Sequence, residues 1–433
     1  MRNLKLEHSE IGQLLRRRRK SLGLRLEDLA DESISAATIS KIERGIPSVS
    51  QEMFDCYLSK LGISDLQELV DVQVDQETKE EEIKTKLFMI KSLLDHAGPS
   101  IALAKLRSLD ISNHPKYLPE VKYLKGKAYF IKQNYEKAKK YFYEAISIVE
   151  NHNQSIGAMA YCYLGMIEYN QSNLYQAIDY TDLGLNIIEE LNDETYKEEK
   201  YMLLLNKIIY LEKLDRNSEA FGLLQELWEH KHKIETIQIK LNMYELFALI
   251  LKKAKLYHQA IRYAKEGIEM ARRNKEHSRA FDLWTSLGKI YFEMGELDEA
   301  EFCYLTALEL RDKVTSKDLL IDTYADLGEL YSYQKEWQLA EENLNEALKI
   351  GNRYNGFKVA KVLEMKGTLK YHTGQHDEAI HCLEKALQLL QQYGSIRQQQ
   401  RILLRLSKYC KDKSQEKYYY YLDRLFDTEE ELN

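Results

Sequence analysis

Apolar and small residues recur along most of this chain at helical spacing, in units of about forty residues. The clearest unit runs from Trp284 to Leu310. Trp284, Leu287, Gly288 and Tyr291 fall on one stripe, and Ala300, Tyr304 and Ala307 fall on a second, with Gly295 between them. The pattern predicts two antiparallel helices whose backbones cross at Gly288 and Ala300. There the lack of bulk allows close approach, and Trp284, Leu287, Tyr291 and Tyr304 fill the space on either side. Gly295 is expected to end the first helix, and Asp298 to cap the second.

The unit repeats in register. A small residue stands at Gly126, Gly165, Ala248, Gly288, Gly328 and Gly367, and an alanine follows twelve residues later at Ala138, Ala177, Ala260, Ala300, Ala340 and Ala379. The position nineteen after each reference is also Ala or Gly, and a degenerate copy carries Ile208 and Ala220. A weaker pair over 83–111 precedes the copies, and residues 397–426 close them. All four prolines lie at or before Pro119, so the long remainder, rich in Leu, Glu, Lys, Ala and Tyr, reads as helix throughout. This spacing resembles the tetratricopeptide (TPR) repeat, with a longer period. The expected fold is all-α, with about eight or nine helical pairs over 83–433 stacked as a right-handed α-solenoid with a concave inner surface.

The first 70 residues have a different pattern. Ile11, Leu14, Leu15 and Leu22 form one helical stripe beside a basic run from Arg16 to Lys20, and Gly23 stops that helix. A short helix is expected over Leu26–Glu32. A third begins at an N-cap, Ser35, turns Ile39 and Ile42 inward, leaves Ala36, Ala37, Thr38, Ser40, Lys41 and Arg44 mostly outward, and ends at Gly45. The runs Arg19–Leu24, Glu27–Ala30 and Thr38–Gly45 resemble the Cro/Xre class of helix-turn-helix DNA-binding domains. The resemblance implies that Ser35, Ala36, Ala37, Thr38, Ser40 and Lys41 meet the major groove, and that Glu43 is a structural partner for an arginine of the first helix. A basic run is often just a solvated face. Here Arg16, Arg17, Arg19 and Lys20 stand beside the recognition helix, with Arg44 at its end, and are placed for phosphates. Met1 to Arg25 holds eight Arg or Lys and two Glu, within a chain of net charge −7.

Residues 71–82, DVQVDQETKEEE, are acidic and read as an exposed connector, or as the start of a helix, between the head and the repeats. The remaining composition mainly excludes functions. The chain has 433 residues, 44% hydrophobic and 30% charged. Its polar start and lack of a long apolar run predict a cytoplasmic protein with no membrane span. Five cysteines without a C-x-x-C pair read as packing residues. There is no dinucleotide fingerprint or P-loop. His372, His376 and His381 beside Cys382 straddle a turn and lack ligand pairs, so no metal or other cofactor is expected. No catalytic set stands out, and the protein is not expected to be an enzyme.

In a TPR the first helix of each pair lines the concave side. Carried onto this chain, that face holds Asn170, Asn242, Glu245, Lys252, Asp282, Thr285, Lys289, Asp322, Lys361 and Glu364, with Asn206 and Asp326 beside them. A solvated face would also be polar. The asparagines nonetheless suit an extended peptide, because an amide both donates to and accepts from a backbone. A Cro/Xre head on a long TPR array is similar to the RNPP family of peptide-pheromone-responsive regulators. That resemblance implies a homodimer or higher homo-oligomer that binds double-stranded operator DNA at paired half-sites and a short signalling peptide in the groove, with peptide altering DNA affinity. The alternative is a TPR module that binds and inhibits a phosphorelay protein, or a regulator that does both.

Overall fold

The structure is a computed structural model that describes residues 7–64, 66–112, 114–149, 154–351, 356–393, 396–411 and 413–430. Among them are 21 α-helices and no strands. They form two compact units, Met1–Ile148 and Val149–Asn433.

The first unit begins with α1 (His8–Ser21), α2 (Ala36–Glu43) and α3 (Gln51–Lys60). Leu15, Leu29, Ile34, Ile39, Ile42, Tyr57 and Leu61 make their shared core. Gly12 lets α1 press on the end of α2, since a Cβ there would sit 2.5 Å from the Ile42 carbonyl oxygen. Leu22 does not join the buried stripe and is 44% exposed. The helix ends before it, Gly23 turns the chain at φ +72°, and Leu24 packs inward instead. The short helix expected over Leu26–Glu32 is a single 3-10 turn, Glu27–Leu29, because the chain is already extended at Ala30.

The acidic stretch 71–82 lies within one helix, α4 (Leu66–His96), although the side chains of 66–77 are outside the described residues. The stretch contains no glycine or proline, and i,i+4 pairs Glu80–Lys84 and Glu82–Lys86 favour the helical state. The second half of α4 packs Ile83, Leu87, Ile90 and Leu94 against α5 (Pro99–Ser108) and α6 (Leu118–Ile131). The last helix of this unit, α7 (Tyr135–Ser147), lies on α6, with Phe142 over Gly126.

The second unit stacks seven helical pairs. These are α8 (Gln154–Asn170) with α9 (Leu174–Leu191), α10 (Lys197–Lys213) with α11 (Asn217–Glu229), and α12 (Ile237–Lys253) with α13 (Tyr257–Arg273). Then come α14 (His277–Met294) with α15 (Leu297–Leu308), α16 (Leu319–Gln334) with α17 (Trp337–Gly351), α18 (Gly356–His372) with α19 (His376–Tyr393), and α20 (Ile396–Cys410) with α21 (Gln415–Glu430). The alanines at the twelve-residue offset are fully buried, as the crossing requires. A further rule governs the offset of sixteen. A Cβ on Gly288 would lie 2.6 Å from the Tyr304 ring, and one on Gly328 would lie 2.6 Å from Leu344. Where the reference is Ala248, which already carries a Cβ, the residue sixteen later is the small, fully buried Ala264.

Gly295 ends α14 in the left-handed region at φ +85°. Asp298 does not cap α15: the cap residue is Glu296, and Asp298 sits inside the first turn, where its charge still favours the helix dipole. The first helices of successive pairs touch one another, α8 with α10, α10 with α12, α12 with α14, α14 with α16 and α16 with α18. Second helices meet one another far less, so the stack closes on the first-helix side, and that side carries the inner face. No helix among the described residues is long and apolar enough to cross a membrane.

Candidate functional site

The head presents α2 on a fixed frame. Ser35 caps it by accepting from the Thr38 backbone N–H at 3.2 Å, and the two hydroxyls lie 2.9 Å apart. Behind the helix Glu43 accepts from Arg19 Nε at 2.6 Å, from Arg19 Nη2 at 2.9 Å and from the Tyr57 hydroxyl at 2.6 Å. Burial alone would push the Glu43 carboxyl up, but Arg19 and Tyr57 outweigh it and hold it below the usual carboxylate range. Arg19 also donates to the Leu24 carbonyl at 2.8 Å and is 7% exposed. The expectation that Arg19 meets phosphate is therefore corrected, because its guanidinium is committed to folding the head. Arg16, Arg17, Lys20, Ala37, Lys41 and Arg44 are exposed, and Ala36, Thr38 and Ser40 are half-buried. Arg16 lies 4.0 Å from Glu43, so the basic run abuts the end of α2.

Within the second unit, ion pairs join each first helix from α12 to α20 to the next. Arg279 on α14 donates to Glu245 on α12 at 2.7 Å, to Asn242 on α12, and to Asp282 one turn along at 3.2 Å. Lys252 on α12 reaches Glu293 on α14 at 2.8 Å, and Lys289 on α14 reaches Asp326 on α16 at 3.1 Å. Lys358 on α18 binds Asp322 at 2.7 Å and Asp318 at 3.5 Å. Arg401 and Arg405 on α20 both reach Glu364 on α18, at 2.5 and 3.4 Å.

Two openings lie along this face. One, of about 220 Å³, is bounded by Glu245, Asp282, Thr285, Lys289 and Asp322. The other, of about 260 Å³, is bounded by Glu329, Lys361, Glu364, Met365, Thr368, Leu369, Arg401 and Arg405. The structure thus gathers most of the residues expected on the concave face but gives several of them other partners. Thr285 is 6% exposed and bonds to Thr323 at 2.8 Å and to the Phe281 carbonyl, so it is a floor and not a contact. Asp326 and Glu364 are buried beneath their cations. Asn206 donates to the buried Cys162 sulfur at 3.3 Å, which turns it into the wall. Asn170 is exposed at the last residue of α8, lining neither opening. Asn242 and Lys252 stand beside the openings within the ion-pair chain.

Arg279, Lys358, Arg401 and Arg405 are absent from the sequence expectation. Arg279 and Lys358 each stand nine residues before their glycine, one turn upstream of the positions read as inward. Arg401 stands six before Ser407, a small buried residue forty after Gly367, but no alanine follows twelve later to reveal that copy.

Asp282 shares Arg279 with Glu245. Burial, first, and then Glu245 push its carboxyl up to about 7, against Arg279 and Lys358, from an ordinary value of 3.8. The folded chain therefore holds a proton that the unfolded chain releases, and the stability this supplies is lost as pH rises from about 4 to about 7. Asp282→Asn is expected to remove that dependence. Thermal melts of the two proteins should differ little below about pH 4 and favour Asp282→Asn at pH 8 by roughly 1–4 kcal/mol.

A helix-turn-helix family model matches residues 15–69, and tetratricopeptide-repeat models match 119–152, 279–353 and 360–392. Neither model is that of an enzyme. No curated protein matches the sequence. Among solved structures, the chain is similar to a Rap protein complexed with Competence and Sporulation Factor, with TM-score 0.59 and 16% identity over 81% of this chain and 98% of that one. It is also similar to a signal-transduction ATPase with a tetratricopeptide-repeat sensor from Pyrococcus horikoshii, with TM-score 0.54 and 16% identity over 98% and 63%. The apo form of the quorum sensor NprR from B. thuringiensis matches at 14% identity over 74% and 99%, with TM-score 0.43. At these identities the likeness is one of fold. The chain is a helix-turn-helix protein carrying an array of tetratricopeptide repeats.

Proposed function

We propose that the chain is a transcription regulator that reads an operator with paired half-sites through α2, as a homodimer or higher homo-oligomer, and takes a short signalling peptide on the inner face of its repeats. What supports the reading is the union, on one chain, of a rigidly capped α2 beside an exposed basic run with a repeat face that opens into two charged cavities. Peptide acts by linkage. A peptide that prefers one arrangement of the repeats over another shifts the population, and the separation of two heads then fits or misses two half-sites. The repeat contacts between first helices are where such a preference arises, because a peptide lying across α12 to α20 touches several pairs at once.

The test is selection of duplexes from a random pool by the full chain, followed by measurement of affinity against salt. Recovery of a two-fold symmetric sequence is expected. Lys41→Ala and Arg17→Ala should each weaken binding, and any variant that loses a phosphate contact should lower the salt slope by about one. A pool that emerges without sequence preference overturns the regulator reading.

A further inference from the structure

The cavity between α16, α18 and α20 has a charge and a shape that specify one end of a ligand. Lys361, Arg401 and Arg405 bring three positive charges to it, against two carboxyl groups, Glu364 and Glu329. Glu364 is 5% exposed and acts as a strut: it grips Arg401 and Arg405 from below, while Arg405 also donates to the Thr368 hydroxyl at 2.6 Å. The two guanidinium side chains remain 55% and 39% exposed, so further N–H donors face the opening. Glu329 also lines the cavity; burial and then Asp326 push its carboxyl upward, against Lys361, Lys289 and Arg405. Met365 and Leu369 supply the apolar part of the lining, and Ser332, Thr368 and His372 the rest.

We infer that this cavity receives the free C-terminal carboxylate of an extended peptide, with the last side chain, an apolar one, laid on Met365 and Leu369. The inference rests on the reading of the repeats as a peptide receptor and adds the direction in which the peptide lies. Planar guanidinium forks match a carboxylate, and a terminal carboxylate is the one that always adjoins a side chain able to use the apolar wall. The other end then follows from reach. An extended peptide of seven residues spans about 24 Å, and neighbouring helices pack about 8–10 Å apart. A chain end anchored between α18 and α20 therefore brings the amino terminus over α14. There Glu245, Asp282 and Asp322 bound the second opening.

The decisive experiment uses a random heptapeptide library in two forms, with free-acid and with amidated C-termini. Each is passed over the full-length protein and the retained peptides are read by mass spectrometry. Free-acid peptides with a bulky apolar last residue should be enriched. Amidation should cut their retention by about tenfold or more, the scale of one charged hydrogen bond. Arg405→Gln and Lys361→Gln should each weaken free-acid binding and leave residual amide binding unchanged. Lys361 is exposed, so its substitution carries the test even where Arg405→Gln disturbs packing. Equal retention of acid and amide peptides, or enrichment of internal Asp and Glu in place of a free end, overturns the inference while the peptide-receptor reading stands. Retention of neither library overturns both.

Discussion

Glu43→Ala is expected to unfold the head and abolish DNA binding while the repeats keep their own melting transition. The carboxylate is the single acceptor for two N–H groups of Arg19 and for the Tyr57 hydroxyl, and these three side chains come from α1, α2 and α3. Removing it leaves a buried guanidinium without its counter-charge, at a cost of about 3–5 kcal/mol. A head of about sixty residues has roughly 3–9 kcal/mol in total at typical values per residue. From about a third to all of that margin disappears. The same carboxyl, held below its ordinary range, also dates the loss in pH: its contribution is complete above about pH 4.5 and fades as pH falls through its folded value. A control separates charge from packing. Arg19→Met with Glu43→Leu removes both charges, and should recover much of the stability that Glu43→Ala loses. Urea titration of the full chain, with DNA binding in parallel, reads both outcomes.

The second large effect is expected at Tyr304. Its side chain is 1% exposed and fills the gap that Gly288 leaves where α14 crosses α15. Tyr304→Ala should cost about 3–5 kcal/mol, whereas Tyr304→Phe, which keeps the ring, should cost less than about 1.5 kcal/mol. The consequence is functional as well as structural. The helix that loses its wedge, α14, carries Arg279, Asp282 and Lys289, which link it to α12 and α16. Tyr304→Ala should therefore lower peptide retention while the head keeps its DNA sequence preference. An unchanged urea midpoint would remove the sixteen-residue rule from the account of why the repeats stack.

The contrast between these two sites shows what a sequence makes legible here. The repeats were readable because one physical requirement, close crossing of two backbones, recurs at Gly288, Ala300 and their copies, and recurrence reveals register. The head was readable through Ser35, Ile39, Ile42 and the arginine–glutamate partnership, yet the same basic run that suggested phosphate contacts hid Arg19, whose neighbours in sequence are all exposed. The inner face was the least legible. A lysine or aspartate on an inward position looks the same whether it awaits a ligand or pairs with the next repeat, and the partner lies far along the chain: 37 residues separate Arg401 from Glu364, and 34 separate Arg279 from Glu245. Thr285 fails for a related reason, since only the neighbouring helix brings Thr323 to it. The helix through 71–82 was obscured because acidic residues suit both a solvated connector and a solvated helix.

The ion pairs also bear on mechanism. Each ties one first helix to the next, so on the proposed reading a peptide on the inner face would meet a linked row of repeats. A peptide anchored at Arg401 and Arg405 and reaching Asp282 would compete for those same charges, and so change the fit between repeats. How far that change reaches the operator is measured directly by the affinity of the full chain for its selected duplex, with and without a saturating peptide recovered from the free-acid library. A shift in Kd of roughly 5–150-fold is predicted, the usual range for coupled sites. Identical affinities at saturating peptide would contradict the account.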